Sequence, residues 1–130
     1  MTRLFAAALA LLLAFPVAAQ SPAVVDALAE VNAKRAARGL RPYLPDPLLA
    51  EGAARLAAAR AARLQFGHFT GGLGDFAHLP PGAVAAATGC GAYPPSYGWM
   101  TCATYDGYTH AGAAWAAGAD GKRYMHLVCR

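Results

Sequence analysis

The sequence predicts an α+β domain. Two stretches with helical period, near 22–38 and 47–66, come first, and a β-hairpin pattern over 111–129 comes last. Helices and strands segregated in this way fold as separate layers, unlike the alternating order of a parallel α/β sheet. A chain of 130 residues has room for one such domain.

The first residues read as an export signal. Thr2-Arg3 give a short positive start, Leu4 to Phe15 carry no charge, and Val17-Ala18-Ala19 offers small side chains for cleavage. That apolar run is shorter than the about 20 helical residues a bilayer needs, and an uncleaved anchor is the alternative. Residues 1–19 are therefore expected to be a signal peptide and 20–130 the mature domain, secreted or periplasmic, with no membrane span after cleavage. Losing Arg3 lowers the net charge from +4 to +3. Lys34, Arg35, Arg38 and Arg41 in and after the first helix, and Arg55, Arg60 and Arg63 on the second, read as solvated faces. Nothing has the form of a nucleic-acid module.

Ser21-Pro22 supplies a start signal for helix one, the serine as cap and the proline in the first turn. Val24, Leu28 and Val31 then form an apolar stripe. Gly39 suits the left-handed stop, Leu40 turns back to the core, and Pro42 and Pro45 keep the joint extended. Asp46-Pro47 repeats the start signal. Leu49, Ala53, Leu56 and Leu64 share a face of helix two, Glu51 and Arg55 form a pair one turn apart, and Gly67 is the expected stop. The two helices are expected to pack together and bury Leu28, Val31, Leu49 and Leu56.

Glycine and proline make residues 70–81 a loop, residues 83–88 are too short to assign, and 89–110 read as a long irregular segment. The closing strands are Ala111–Ala117 and Tyr124–Cys129, turned through Asp120-Gly121. Along the second strand Met125, Leu127 and Cys129 point one way, and Tyr124, His126 and Val128 the other. Alone this hairpin is unstable, so it needs the helices or a further strand from 89–110. Three cysteines in an oxidising compartment suggest one disulfide and one thiol. Spacing leaves the pairing open. Cys90–Cys102, which closes the irregular loop, is the expected bond, with Cys102–Cys129 the alternative.

The spacing Asn32, Arg35, Gly39-Leu40, Asp46, Leu49, Ala53, Ala57 and His68 resembles the opening of the CAP domain, the SCP-like domain of cysteine-rich secretory proteins. The closing stretch, Gly112-Ala113-Ala114 followed by Asp120-Gly121-Lys122-Arg123-Tyr124, is similar to the end of bacterial members. Together these cover 23–68 and 108–130. The resemblance implies a CAP-like layering: a helix pair on a small antiparallel sheet. It also implies a cavity that usually holds two metal-capable histidines and two acids. His68 matches the first histidine. Asp75, in Gly-Gly-Leu-Gly-Asp, stands where the family has Gly-Glu-Asn, and residues 100–107 after Trp99 hold no second histidine. His110 and His126 of the hairpin are the remaining candidates to join His68, with Asp75 or Asp106 as carboxylate.

No HExxH or G-x-S-x-G motif is present, and Glu30 and Glu51, the two glutamates, fall on helix surfaces. The expectation is an exported, non-catalytic binding or interaction module with no cofactor. The enzyme alternative is a metal-dependent hydrolase using His68 with His110 or His126. A lone imidazole holds no metal tightly, so no tight divalent metal is expected unless His110 or His126 is recruited beside His68. Tyr93, Tyr97, Trp99, Tyr105 and Tyr108 are the ligand-binding candidates, for a sugar, lipid or peptide. Their other role is to replace the core bulk that alanine-rich helices lack.

Overall fold

The computed structural model describes residues 26–130, so the export signal and the Ser21-Pro22 start signal lie outside the described residues. Helix α1 spans Ala27–Ala36 and α2 spans Pro47–Arg63. Strands β1 (Leu44–Pro45), β2 (Ala87–Tyr93), β3 (His110–Ala117) and β4 (Arg123–Cys129) form one sheet in the order β1-β3-β4-β2. The class is α+β, as the sequence predicts.

Both helices begin on an aspartate. The Asp26 carboxylate accepts from Leu28 N at 3.0 Å and Ala29 N at 3.2 Å, and Asp46 does the same for Leu48 and Leu49. These bonds satisfy N–H groups that have no partner inside the helix. Helix α2 stops three residues before Gly67, because Leu64 takes the left-handed conformation at φ 50°. Glu51 and Arg55 do pair, at 2.5 Å and half exposed.

The helices flank the sheet instead of packing on each other. Leu49, Ala53 and Leu56 of α2 share a cluster with Val128. Ala27 and Val31 of α1 belong to another, with Met125, Leu127 and Cys129. Adjacent residues of a strand point to opposite faces, so β4 is covered on both sides, and six of its seven residues are buried. Val31, Leu49 and Leu56 are fully buried, while Leu28 is half-buried at the edge of its cluster.

Small side chains set how closely α2 lies on the sheet. Its inner face carries Ala53, Ala57 and Ala61, and β3 presents Gly112 toward it. A Cβ on Gly112 would stand 1.9 Å from Ala50 N and 2.1 Å from Leu49 C. The helix backbone therefore occupies the space a side chain would fill.

The sheet is mixed, not purely antiparallel: β1 runs parallel to β3, and β2 and β3 each run antiparallel to β4. Strand β2 also replaces the start of the expected irregular segment. Its sequence, ATGCGAY, has almost no β-branched side chains, and pairing along all of β4 holds it extended.

The expected Cys90–Cys102 disulfide is absent, and Cys90, Cys102 and Cys129 are all free thiols. Register explains why. Cys90 lies opposite His126 and so shares the α2 face, whereas Cys102 is buried in the cluster on the α1 face. The sheet itself separates the two sulfurs.

Trp99 is 2 % exposed and donates to Glu30 at 2.9 Å, while Arg123 binds the same carboxylate at 3.0 Å. Glu30 is thus a partly buried link between α1, Trp99 and β4, not a free surface charge. Tyr93, Tyr105 and Tyr108 also pack against this cluster, and Tyr97 alone of the five aromatic candidates is largely exposed, at 59 %. The rings mainly supply core, and Trp99 presents no face to a ligand.

Candidate functional site

Arg60 is the fixed point of the site. It falls on the inner face of α2, in line with Leu49, Ala53 and Leu56, and is fully buried. Its Nε donates to Gly67 O at 3.0 Å, its Nη1 to Met125 O at 2.8 Å, and its Nη2 to Phe66 O. Two of those carbonyls immediately precede His68 in the chain, and the third immediately precedes His126. One guanidinium thus ties together the two segments that carry the histidines.

Asp75 lies between those histidines. It begins in the short 3-10 turn Gly74–His78 and is 4 % exposed. Its Oδ2 receives His68 Nδ1 at 2.5 Å, His126 Nε2 at 3.0 Å and the Thr88 hydroxyl at 2.8 Å, while Oδ1 accepts from Phe69 N at 2.8 Å. The metal-capable atoms of His68, Asp75 and His126 all lie within 4.8 Å of one another. The His68 side chain is 46 % exposed, whereas His126 is fully buried. A cavity of about 270 Å³ opens beside them, walled by His68, Gly71, Gly72, Asp75, Phe76 and Thr88.

No family model, no curated protein and no solved structure matches this chain. The chemistry therefore rests on the geometry.

Burial alone would raise the Asp75 carboxyl, but the hydrogen bonds from His126, His68, Thr88 and Phe69 N–H outweigh it and hold it well below the usual carboxylate range. Asp75 is therefore an anion. Burial pushes His126 below the ordinary imidazole value, with Asp75 opposing and Arg60 and His68 reinforcing the shift. His126 is neutral at pH 7, with its proton on the nitrogen facing Asp75. Its Nδ1 is buried with no partner among the described residues.

These shifts fix the sign of the acid response. Below about pH 6.5 an unfolded chain protonates His126 and the folded one resists, so stability falls as pH falls. The depressed Asp75 group adds stability above its ordinary value of 3.8, which is lost as pH drops below that. Urea melts should show a lower midpoint at pH 5.5 than at pH 7.5, and His126→Asn should flatten that difference. An equal slope in the variant would show that His126 takes up its proton without cost.

Of the family-type candidates, the structure brings His68, Asp75 and His126 together and leaves His110 apart. His110 begins β3, four positions from Ala114, the residue paired with His126, or about 13 Å along the strand. Its Nδ1 contacts Thr109 Oγ1 instead. Asp106 sits in the loop before β3, and His78 stacks on Phe69 at 4.3 Å. Sequence reasoning missed Thr88 and Arg60. Thr88 carries no local signal. Arg60 does, because it continues the buried i, i+3, i+4 face of α2.

Proposed function

We propose that this chain is an exported domain with CAP-like layering that works as a non-catalytic binding module, and that His68, Asp75 and His126 take one divalent cation. The convergence of three ligand atoms from three separate segments carries this reading. The CAP-like spacing and the export signal in the sequence support its context. Two imidazoles, one carboxylate and an open side fit a three-ligand zinc set in number and kind.

The unpartnered nitrogen of His126 opposes tight binding. Coordination through Nε2 moves the ring proton to Nδ1, where no acceptor is present. Burying that N–H costs roughly 1–3 kcal/mol, or about tenfold to hundredfold in affinity. Isothermal calorimetry with zinc chloride at pH 7.5 should give one equivalent with a dissociation constant of about 1 μM or weaker, lost in both His68→Ala and Asp75→Asn. Absence of binding at millimolar zinc would remove the cation from the proposal.

A metal-dependent hydrolase using His68 with His126 is the second reading, favoured by the exposed side of the set. A bound zinc supplies Lewis acidity and an acidified water. Proton transfer also needs a base in reach, and Glu30 is engaged with Trp99 and Arg123 while Glu51 pairs with Arg55 on the surface. Sub-micromolar zinc affinity would place this reading first.

A further inference from the structure

A second cavity, of about 750 Å³, lies away from the histidines, between the joint that follows α1 and the loop that precedes β3. Its size is within the range of small-molecule pockets. Leu40, Pro42, Leu44 and Tyr108 give it apolar walls, and Arg35 and Arg41 line it as well. Leu44 is 56 % exposed, so its side chain is free to meet a ligand in the cleft.

Arg35 is the informative residue. It is 2 % exposed and continues the inner stripe of α1 from Val31. Nε donates to Arg41 O at 2.7 Å, and Nη1 donates to Tyr105 O at 2.6 Å and Ala103 O at 3.3 Å. The guanidinium lies 3.7 Å over the Tyr43 ring. Among the described residues Nη2 has no acceptor, and no carboxylate there forms an ion pair with Arg35 or Arg41. Arg60 makes the contrast. That equally buried guanidinium has a carbonyl on each of its three nitrogens and lines none of the cavities described. Buried charges are normally paired, because an unpaired one forfeits its hydration. Arg35 keeps one unused donor and lines a cavity open to solvent.

We infer that this cavity binds a small organic anion: a carboxylate carrying a compact apolar group. The carboxylate meets Arg35 Nη2, and the exposed Arg41 closes over it from the rim. The apolar group lies against Leu40, Leu44 and Tyr108. Asp106, also on the wall, has Oδ1 engaged by Gly107 N at 2.8 Å and selects against anions with a second charge at that end. The inference is independent of the cation reading, because the two sites share no residue.

Benzoate is the probe, with benzyl alcohol as its neutral match and inorganic phosphate as an apolar-free anion. Amide shift titrations by NMR should show saturable benzoate shifts at Leu40, Leu44 and Tyr108, and much weaker ones for the other two. Arg41→Ala, at an exposed position, should leave the melting midpoint unchanged and weaken benzoate at least tenfold. Zinc titration of the same variant should match wild type. No benzoate shifts at 10 mM, or equal binding of benzyl alcohol, would overturn the inference. Phosphate binding as tight as benzoate would refute the apolar part of the ligand class.

Discussion

Gly112→Ala should destabilise the domain by about 3 kcal/mol, the upper end of ordinary overpacking. The added methyl has nowhere to go: its nearest atoms are the backbone of Leu49 and Ala50, at 2.1 and 1.9 Å. A rotamer change cannot relieve a clash with backbone, so α2 must lift off β3. Lifting the helix loosens Leu49, Ala53 and Leu56 against Val128 in the same step. Ala117→Val, at an exposed position at the far end of the same strand, provides the control and should stay within about 0.5 kcal/mol of wild type. Urea melts compare the two. A Gly112→Ala midpoint equal to wild type would mean that α2 does not sit directly on β3.

The same contact explains why part of this fold is legible in the sequence and part is not. Strands β3 and β4 stand out because a turn pair, Asp120-Gly121, separates two runs long enough to alternate. The caps at Asp46 and the joint after Gly39 are local chemistry and can be read without the fold. Strand β2 is hidden because Gly89 and Gly91 carry no side-chain pattern. Their absence of bulk is what the structure uses: a Cβ at Gly89 would meet Cys102 at 2.6 Å, and one at Gly91 would meet the Tyr93 ring. The expected packing of α1 on α2 fails for a related reason. Two apolar stripes in sequence do not say whether they meet each other or the two faces of a sheet between them.

The spacing that resembles a CAP opening mostly encodes this architecture. Asn32 closes the α1 joint, accepting from Tyr43 N at 2.8 Å and donating to Tyr43 O at 3.1 Å. Asp46 caps α2, and Leu49, Ala53 and Ala57 form its buried face. Of the residues in that spacing, His68 alone enters the histidine–carboxylate cluster. The choice between His110 and His126 depended on distance along the sheet, which sequence did not supply. Charge alone places Arg35 and Arg60 on the surface, but each continues an apolar stripe, Arg35 after Val31 and Arg60 after Leu56.

Arg60→Met should cost about 3 kcal/mol or more, and it should act on the site as well as on the fold. Methionine fills much of the same volume but donates nothing, leaving the carbonyls of Phe66, Gly67 and Met125 without their partner. Each buried carbonyl so abandoned costs roughly 1–3 kcal/mol, less where water can reach it. The segment Phe66–His68 then keeps the His68–Asp75 contact at 2.5 Å, the Phe69 N–H to Asp75 at 2.8 Å and a weak Gln65 Nε2 contact to Gly67 O at 3.4 Å, but loses the link to β4. Gln65 Nε2 also reaches His68 O at 2.8 Å, but that bond is exposed and water competes for it. Arg60→Lys separates stability from placement. An ammonium keeps the charge but cannot span three carbonyls set around a planar fork. That variant should fold, retain most of its stability, and bind zinc about tenfold more weakly than wild type, because His68 and His126 no longer share one anchor. Denaturant melts and zinc calorimetry on the same preparations decide the matter. If Arg60→Met loses less than about 1 kcal/mol, the guanidinium is not the clamp. If Arg60→Lys binds zinc as wild type does, the clamp holds the fold without positioning the histidines.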